Sequence, residues 1–323
     1  MKSIIFFKPS KDLSGILLMV ANAFFISVLY IIVKILTRDF NFSSNQVGLL
    51  YKLSILVLML LLFCVKKNSI EHLRTQKILF HALRGFFSIA GSLCMFYAVS
   101  VLDVLNAAAI SELTPAFMVI AGALVFNERI TTPKIILLLG STIGVFFIKD
   151  STSMGVDSNS GYLFAFSALI FWSINNVIIK KLTKTEHSFA QLFYSSLFAS
   201  FFSFPLACFQ CTFDFQQHFI SINLSTWPYF SRASLSLICL AGIASLLHKA
   251  SFFTAYKISD ISVVGPFDYL RLPFTGILSY LILNQALPNN YSLVGYGIII
   301  FTGMYFIIHK NRNACDINKK LLK

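Results

Sequence analysis

Charge is scarce in this chain. Only 12% of its 323 residues are Asp, Glu, Lys or Arg, about half the usual share of a soluble protein. Acids are the scarcer sign, 13 against 26 Lys and Arg. That poverty excludes a soluble enzyme and a disordered chain, both of which need a charged surface. Cysteine is too sparse, at 6, for a disulfide scaffold. The single CxxC, Cys208 to Cys211, lacks the second pair that a zinc site needs. No GxxxxGK[ST], HExxH, GxSxG or GxGxxG occurs, so neither an ATP-driven pump nor a familiar hydrolase is indicated.

What fills the chain instead is hydrophobe, 57% of residues, with 35 Phe. Ten apolar runs stand at 13–34, 46–65, 78–98, 104–126, 134–149, 161–180, 189–209, 233–256, 261–283 and 291–309. A spanning helix needs about 20 such residues. Outer-membrane strands would alternate polar and apolar positions, whereas these runs are apolar all round. The expectation is an all-α polytopic membrane protein with ten transmembrane helices. Lys2, Lys8 and Lys11 precede the first run like a signal peptide, but no small-x-small cleavage site follows, so an uncleaved first helix is expected.

The cations sort by side. With the N-terminus in the cytoplasm, 18 of the 26 fall in inner segments. Only Arg38, Lys149 and Arg232 fall outside, and Lys34 sits at the rim. This asymmetry predicts ten spans with both termini cytoplasmic. The basic tail 310–323 reads as an orientation signal. The net charge of +13 therefore implies no nucleic-acid partner.

The chain also repeats. At an offset of 157, Asp103 meets Asp260, Asn127 meets Asn284 and Gly140 meets Gly297, matches that matter because these residues are rare here. At an offset of 146, Gly15 meets Gly161 and Lys34 meets Lys180, so the second copy carries about eleven extra residues, placed in the loop 210–232. Five helices per copy is odd, so residues 1–150 and 151–309 must cross the membrane in opposite senses. Inverted repeats are a common plan of secondary transporters, with the site at the repeat interface.

Arg84-Gly85, Phe96-Tyr97-Ala98, Ala107-Ala108-Ala109, Leu113-Thr114-Pro115, Asn127-Glu128-Arg129, Gly140 and Gly144 carry a resemblance to the EamA-type permeases of the drug/metabolite transporter superfamily. The second half repeats it as Phe253-Thr254-Ala255-Tyr256, Gly265-Pro266 and Asn284-Gln285, departing at Gln285 and at Leu272. The resemblance implies a central cavity between the repeats, with the fifth and tenth helices peripheral. His81-Ala82-Leu83-Arg84-Gly85 resembles the third-helix opening of a subset that imports S-adenosylmethionine.

Six ionisable groups lie within spanning runs: Lys52, Arg84, Glu112, Lys249, Asp268 and Arg271. Each costs about 2.5–3.5 kcal/mol on insertion scales unless paired or hydrated. Depth matches Lys52 with Glu112 and Arg84 with Asp268, and Asp268 and Arg271, three apart on one helix face, can also pair locally. Lys52 and Arg84 lie near helix ends, where snorkelling or structural pairing is an equal alternative. Pro115 follows Glu112, and Asp268 lies between Pro266 and Pro273, so broken helices are expected beside both acids. Asn22, Asn176, Tyr97 and Tyr269 are further candidate substrate contacts. His248 is either a proton-coupling group or a buried neutral histidine.

Four in-membrane cations against two anions favour a cargo with a negative group or a zwitterion, such as an amino acid or S-adenosylmethionine. An organic anion such as a phosphorylated sugar or nucleotide is the alternative; a membrane-embedded lipid-modifying enzyme is a more distant one. The expected partners are the small-molecule cargo and membrane lipid, in a cytoplasmic (inner) membrane, as a monomer or homodimer. No cofactor or metal is expected.

Overall fold

The computed structural model describes residues 9–65, 75–114, 116–117, 120, 123–124, 132–148, 156–182, 186, 188–214, 219–224, 226–259, 264–285 and 289–321. The apolar runs fold as helices because lipid offers backbone amides no partner outside their own segment. The helices are α1 (Pro9–Arg38), α2 (Ser44–Val65), α3 (Ile78–Val101), α4 (Val104–Ser111), α5 (Thr132–Ile148), α6 (Val156–Leu182), α7 (Ser188–Cys208), α8 (Arg232–Ile258), α9 (Arg271–Leu283) and α10 (Asn290–Leu321). Six of them carry stretches long and apolar enough to cross a membrane. The chain is a multi-pass membrane protein.

Local chemistry sets several helix ends. Ser43 and Gln46 form a reciprocal capping box at the start of α2, with bonds of 2.9 and 3.2 Å. Ser231 caps α8 by accepting from the Ser234 amide at 3.1 Å, and Asn289 caps α10 through Ser292 at 2.7 Å. Asn284 ends α9 in the left-handed region, φ 53°.

Two features depart from plain spanning helices. The run 104–126 stops being helical at Glu112 and Leu113, which form a turn, and is helical again at Thr114, Ala116 and Phe117. Pro115 and the Asn127-Glu128-Arg129 motif lie outside the described residues. The run 261–283 is a 3-10 helix over Gly265–Leu270 that hands on to α9 at Arg271. The loop after α7 folds as an antiparallel hairpin, Phe209–Asp214 against Phe219–Leu224; it is the only non-helical pairing among the described residues, and it falls where the extra residues of the second half were placed. The Cys208 thiol is free.

Packing follows a rule. α1 lies on α8 and α3 on α6; α2 lies on α8 and α3 on α7; α1 lies on α9 and α4 on α6. α2 meets α7, α4 meets α9, and α5 meets α10. Adding five to every helix number maps this set onto itself. The exchange is broken in one respect: α1, α2, α3 and α4 also meet one another, while the corresponding contacts among α6 to α9 are far sparser in the described residues. Small residues permit the closest crossings. A Cβ on Gly140 or Gly144 would run into Thr302 or Ile299 of α10, so this GxxxG seats α5 on α10. The buried core runs through α1, α3 and α4, and every residue of α4 is buried.

Candidate functional site

The helix breaks put polar groups at the crossing of α1, α4 and α9. Arg271 Nε donates to Glu112 Oε1 at 2.7 Å, and the Glu112 side chain is only 2% exposed. Asn22 Nδ2 donates to Asp268 Oδ1, also at 2.7 Å. Ser27 Oγ donates to the Arg271 carbonyl at 3.1 Å and accepts from Thr275 Oγ1 at 2.9 Å, which ties α1 to the start of α9. Tyr30, buried on the same face of α1, lies beside Ser111, Glu112 and Arg271. Two carboxylates face one guanidinium, so this acid cluster carries a surplus of negative charge. Asn22 Oδ1 is buried with no hydrogen-bond partner.

Cations gather in a second cluster, on α2, α3 and α8. Lys52, 1% exposed, donates to Ser88 Oγ at 3.2 Å and lies 4.9 Å from the Tyr51 ring centroid. Lys249 lies near Lys52, and Arg84 faces both lysines, so like charges gather here. Arg84 Nη1 donates to the Gln191 carbonyl at 2.8 Å and to its Oε1 at 3.2 Å, whereas Arg84 Nε has no partner. Tyr51 Oη donates to Ser92 Oγ at 2.9 Å beside them. Among the described residues no carboxylate comes within ion-pair distance of Lys52, Arg84 or Lys249. His248 lies between the two clusters, near Asn22, Lys249 and Arg271.

The expected pairs Lys52–Glu112 and Arg84–Asp268 are therefore corrected. Depth in the membrane was matched, but azimuth decides contact. α4 and α9 pack together and bring Glu112 to Arg271, while α2 and α3 turn Lys52 and Arg84 toward α7 and α8. Other candidates are placed elsewhere. Tyr97 bonds Ser160 at 3.1 Å and stacks 4.6 Å from Phe164, joining α3 to α6. Tyr269 is buried against Gly303 of α10. Asn176 is on α6 and bonds to neither cluster among the described residues. Pro266 opens the 3-10 helix and Pro273 is exposed.

Ser27, Tyr30, Ser88, Tyr51 and Gln191 were not singled out from sequence. A signal existed for some: His81, Arg84, Ser88 and Ser92 recur every three or four residues, a polar stripe along α3.

The two ends differ. At the α1–α2 end, Lys34 Nζ donates to the carbonyls of Ser100 and Leu102 at 2.8 and 2.9 Å, at the end of α3. Arg38 Nη1 donates to the Leu283 carbonyl at 3.2 Å, and Gln285 Oε1 accepts from the Val104 amide that starts α4. Cations at helix C-termini and an acceptor at an N-terminus suit the helix dipoles. Beyond them a cleft of about 450 Å³ lies between Asp39 and the Trp227–Tyr229 segment. The Asp39 carboxyl is held below the usual carboxylate range by its hydrogen bond from Arg38. At the opposite end, buried His81 Nε2 lies 3.6 Å from Glu186 Oε2.

Comparison with known proteins gives a consistent result. The EamA-like transporter family matches residues 13–149 and again residues 159–309. An S-adenosylmethionine uptake transporter of Rickettsia prowazekii is 25% identical over 243 residues, 75% of this chain and 76% of its own. A riboflavin transporter of Vibrio cholerae is 23% identical over 292 residues, 90% and 91% of the two chains. A solved structure described as "Crystal structure of protein" aligns at a TM-score of 0.58 with 13% identity, covering 92% of this chain and 96% of the other, a likeness of fold alone.

Proposed function

The chain belongs to the EamA-like transporter family and is a small-molecule transporter, not an enzyme; from that premise we propose that it moves a small zwitterionic metabolite, with S-adenosylmethionine the first cargo to try. One observation carries the reading: the buried polar groups are divided by sign. Glu112 and Asp268 outnumber Arg271 in one cluster, and Lys52, Arg84 and Lys249 stand together in another. A cargo with a cationic centre and a carboxylate is complementary to both. The S-adenosylmethionine uptake transporter among the relatives supports that choice of cargo.

The chain is a secondary transporter of the cytoplasmic (inner) membrane, with ten spans and both termini in the cytoplasm. Residues 1–150 and 151–309 are its two inverted repeats, and residues 310–323 its basic cytoplasmic tail. The exchange rule in the helix packing supports the two repeats. The repeats rock about the central polar groups in alternating access. The contacts of Lys34, Arg38 and Gln285 then close the outer end. The cation cluster by itself also favours a second reading, an organic anion such as a phosphorylated sugar or nucleotide.

Uptake of labelled S-adenosylmethionine into reconstituted vesicles tests the first reading, with Glu112→Gln and Asp268→Asn alongside. Saturable uptake that both substitutions reduce is expected. Uptake of sugar phosphates or nucleotides in its place would replace the first reading with the second, and no flux of any of these by folded protein would overturn both.

A further inference from the structure

We infer that Lys52, Arg84 and Lys249 form a subsite for one oxyanion of the cargo, its carboxylate, distinct from the acid cluster around Glu112. The inference rests on the zwitterion reading above and adds the residues that recognise the negative end. An ammonium or guanidinium has only donors to offer. Lys52 and Lys249 are neighbours, and among the described residues no acid pairs with either, so two donor groups gather without a compensating charge. Ser88 Oγ accepts from Lys52, but it is a neutral hydroxyl and balances no charge.

The arginine adds an independent observation. Arg84 is 4% exposed, and its Nη1 is fixed by the carbonyl and amide oxygens of Gln191. That anchoring sets the plane of the guanidinium, and its buried Nε–H is left with no partner. Buried donors are nearly always satisfied. A two-oxygen anion meets every demand of the cluster: one oxygen accepts from both lysines, and the other accepts from Arg84. Arginine suits planar, two-oxygen acceptors in particular.

Position fits as well. His248 precedes Lys249 on α8 and lies near Asn22, whose side chain holds Asp268. One small molecule can therefore present a carboxylate to Lys249 and a cationic centre to Asp268. Four helices supply the parts, with α2, α3 and α7 providing Lys52, Arg84 and Gln191, and α8 providing Lys249.

The test uses the full-length protein in nanodiscs and two ligands, S-adenosylmethionine and its decarboxylated form, which keeps the sulfonium and the amine. The native protein should bind the decarboxylated form about 10- to 100-fold more weakly, the worth of one charge-assisted contact. Lys249→Met and Arg84→Gln should each erase most of that preference. Lys52→Arg keeps the charge and should retain it, which guards against reading a folding defect as a lost subsite. A second arm is independent of the proposed cargo: acetate or inorganic phosphate, compared with chloride at equal ionic strength, should raise the thermal midpoint of the native protein but not of Lys249→Met. Stabilisation by acetate supports a carboxylate, and stabilisation by phosphate alone moves the assignment to a phosphorylated cargo and overturns the carboxylate. If S-adenosylmethionine fails to bind while acetate stabilises, the cargo is wrong and the subsite stands. Equal binding of both ligands by the native protein, or no response to either anion, overturns the subsite.

Discussion

At the α4–α9 crossing, Arg271 meets Glu112 at 2.7 Å and Asn22 meets Asp268 at 2.7 Å, whereas on α2, α3 and α8 three cations share space with hydroxyls and an amide. The two clusters are built from the same kinds of side chain in the same low-dielectric surroundings. Their difference lies in compensation. In a buried ion pair each charge compensates the other, and removing either partner leaves a bare charge. An uncompensated cluster works the other way: removing one cation relieves repulsion. Breaking the Glu112–Arg271 pair therefore costs stability, whereas the cation cluster is kept at a cost to the fold.

That contrast can be broken experimentally. The largest effect is expected at Arg271. Arg271→Gln strands Glu112, and a loss of about 3–5 kcal/mol is expected; thermal unfolding in detergent should show a large fall in midpoint, with Glu112→Gln/Arg271→Gln nearer the native value than Arg271→Gln alone. Lys249→Met comes next, with an opposite sign on stability. Its midpoint should equal or exceed the native one, while uptake of the carboxylate-bearing cargo falls about tenfold or more; a midpoint drop as large as that of Arg271→Gln would make the lysine structural. Asp268→Asn removes the charge from one bond and should cost about 1.5–3 kcal/mol, read in cargo affinity more than in unfolding. The smallest effect belongs to Ser27→Ala, which loses two neutral hydrogen bonds between α1 and α9 at about 1 kcal/mol each; a modest midpoint shift with unchanged cargo affinity is the expected result.

Much of this architecture is legible in the sequence, for reasons that are local. The apolar runs of α2, α3 and α5 to α9 end within three residues of the observed helix ends because hydrophobicity decides where backbone enters lipid. The breaks at Glu112 and before Arg271 follow from an acid next to Pro115 and from Pro266 and Pro273 around Asp268. Six ionisable groups stand out in so apolar a chain, and all six belong to the two clusters. What sequence does not carry is rotation about each helix axis. Lys52 and Glu112 share a depth yet sit on helices that turn them to different neighbours. Tyr97 looks like a cavity residue and instead spans α3 to α6 through Ser160. Tyr269 is turned to α10 because the 3-10 turn rotates it away from Asp268. The hairpin over 209–224 is equally hidden, since it is set by strand pairing across a loop and not by any run of spanning length.

The most direct measurement is a double-mutant cycle on equilibrium binding of labelled S-adenosylmethionine to the protein in nanodiscs, using Asp268→Asn, Lys249→Met and the pair. A zwitterion held at both ends predicts that each single substitution weakens binding about tenfold or more, and that the two losses add because they act on opposite ends of one ligand. Binding that neither substitution changes would contradict the account.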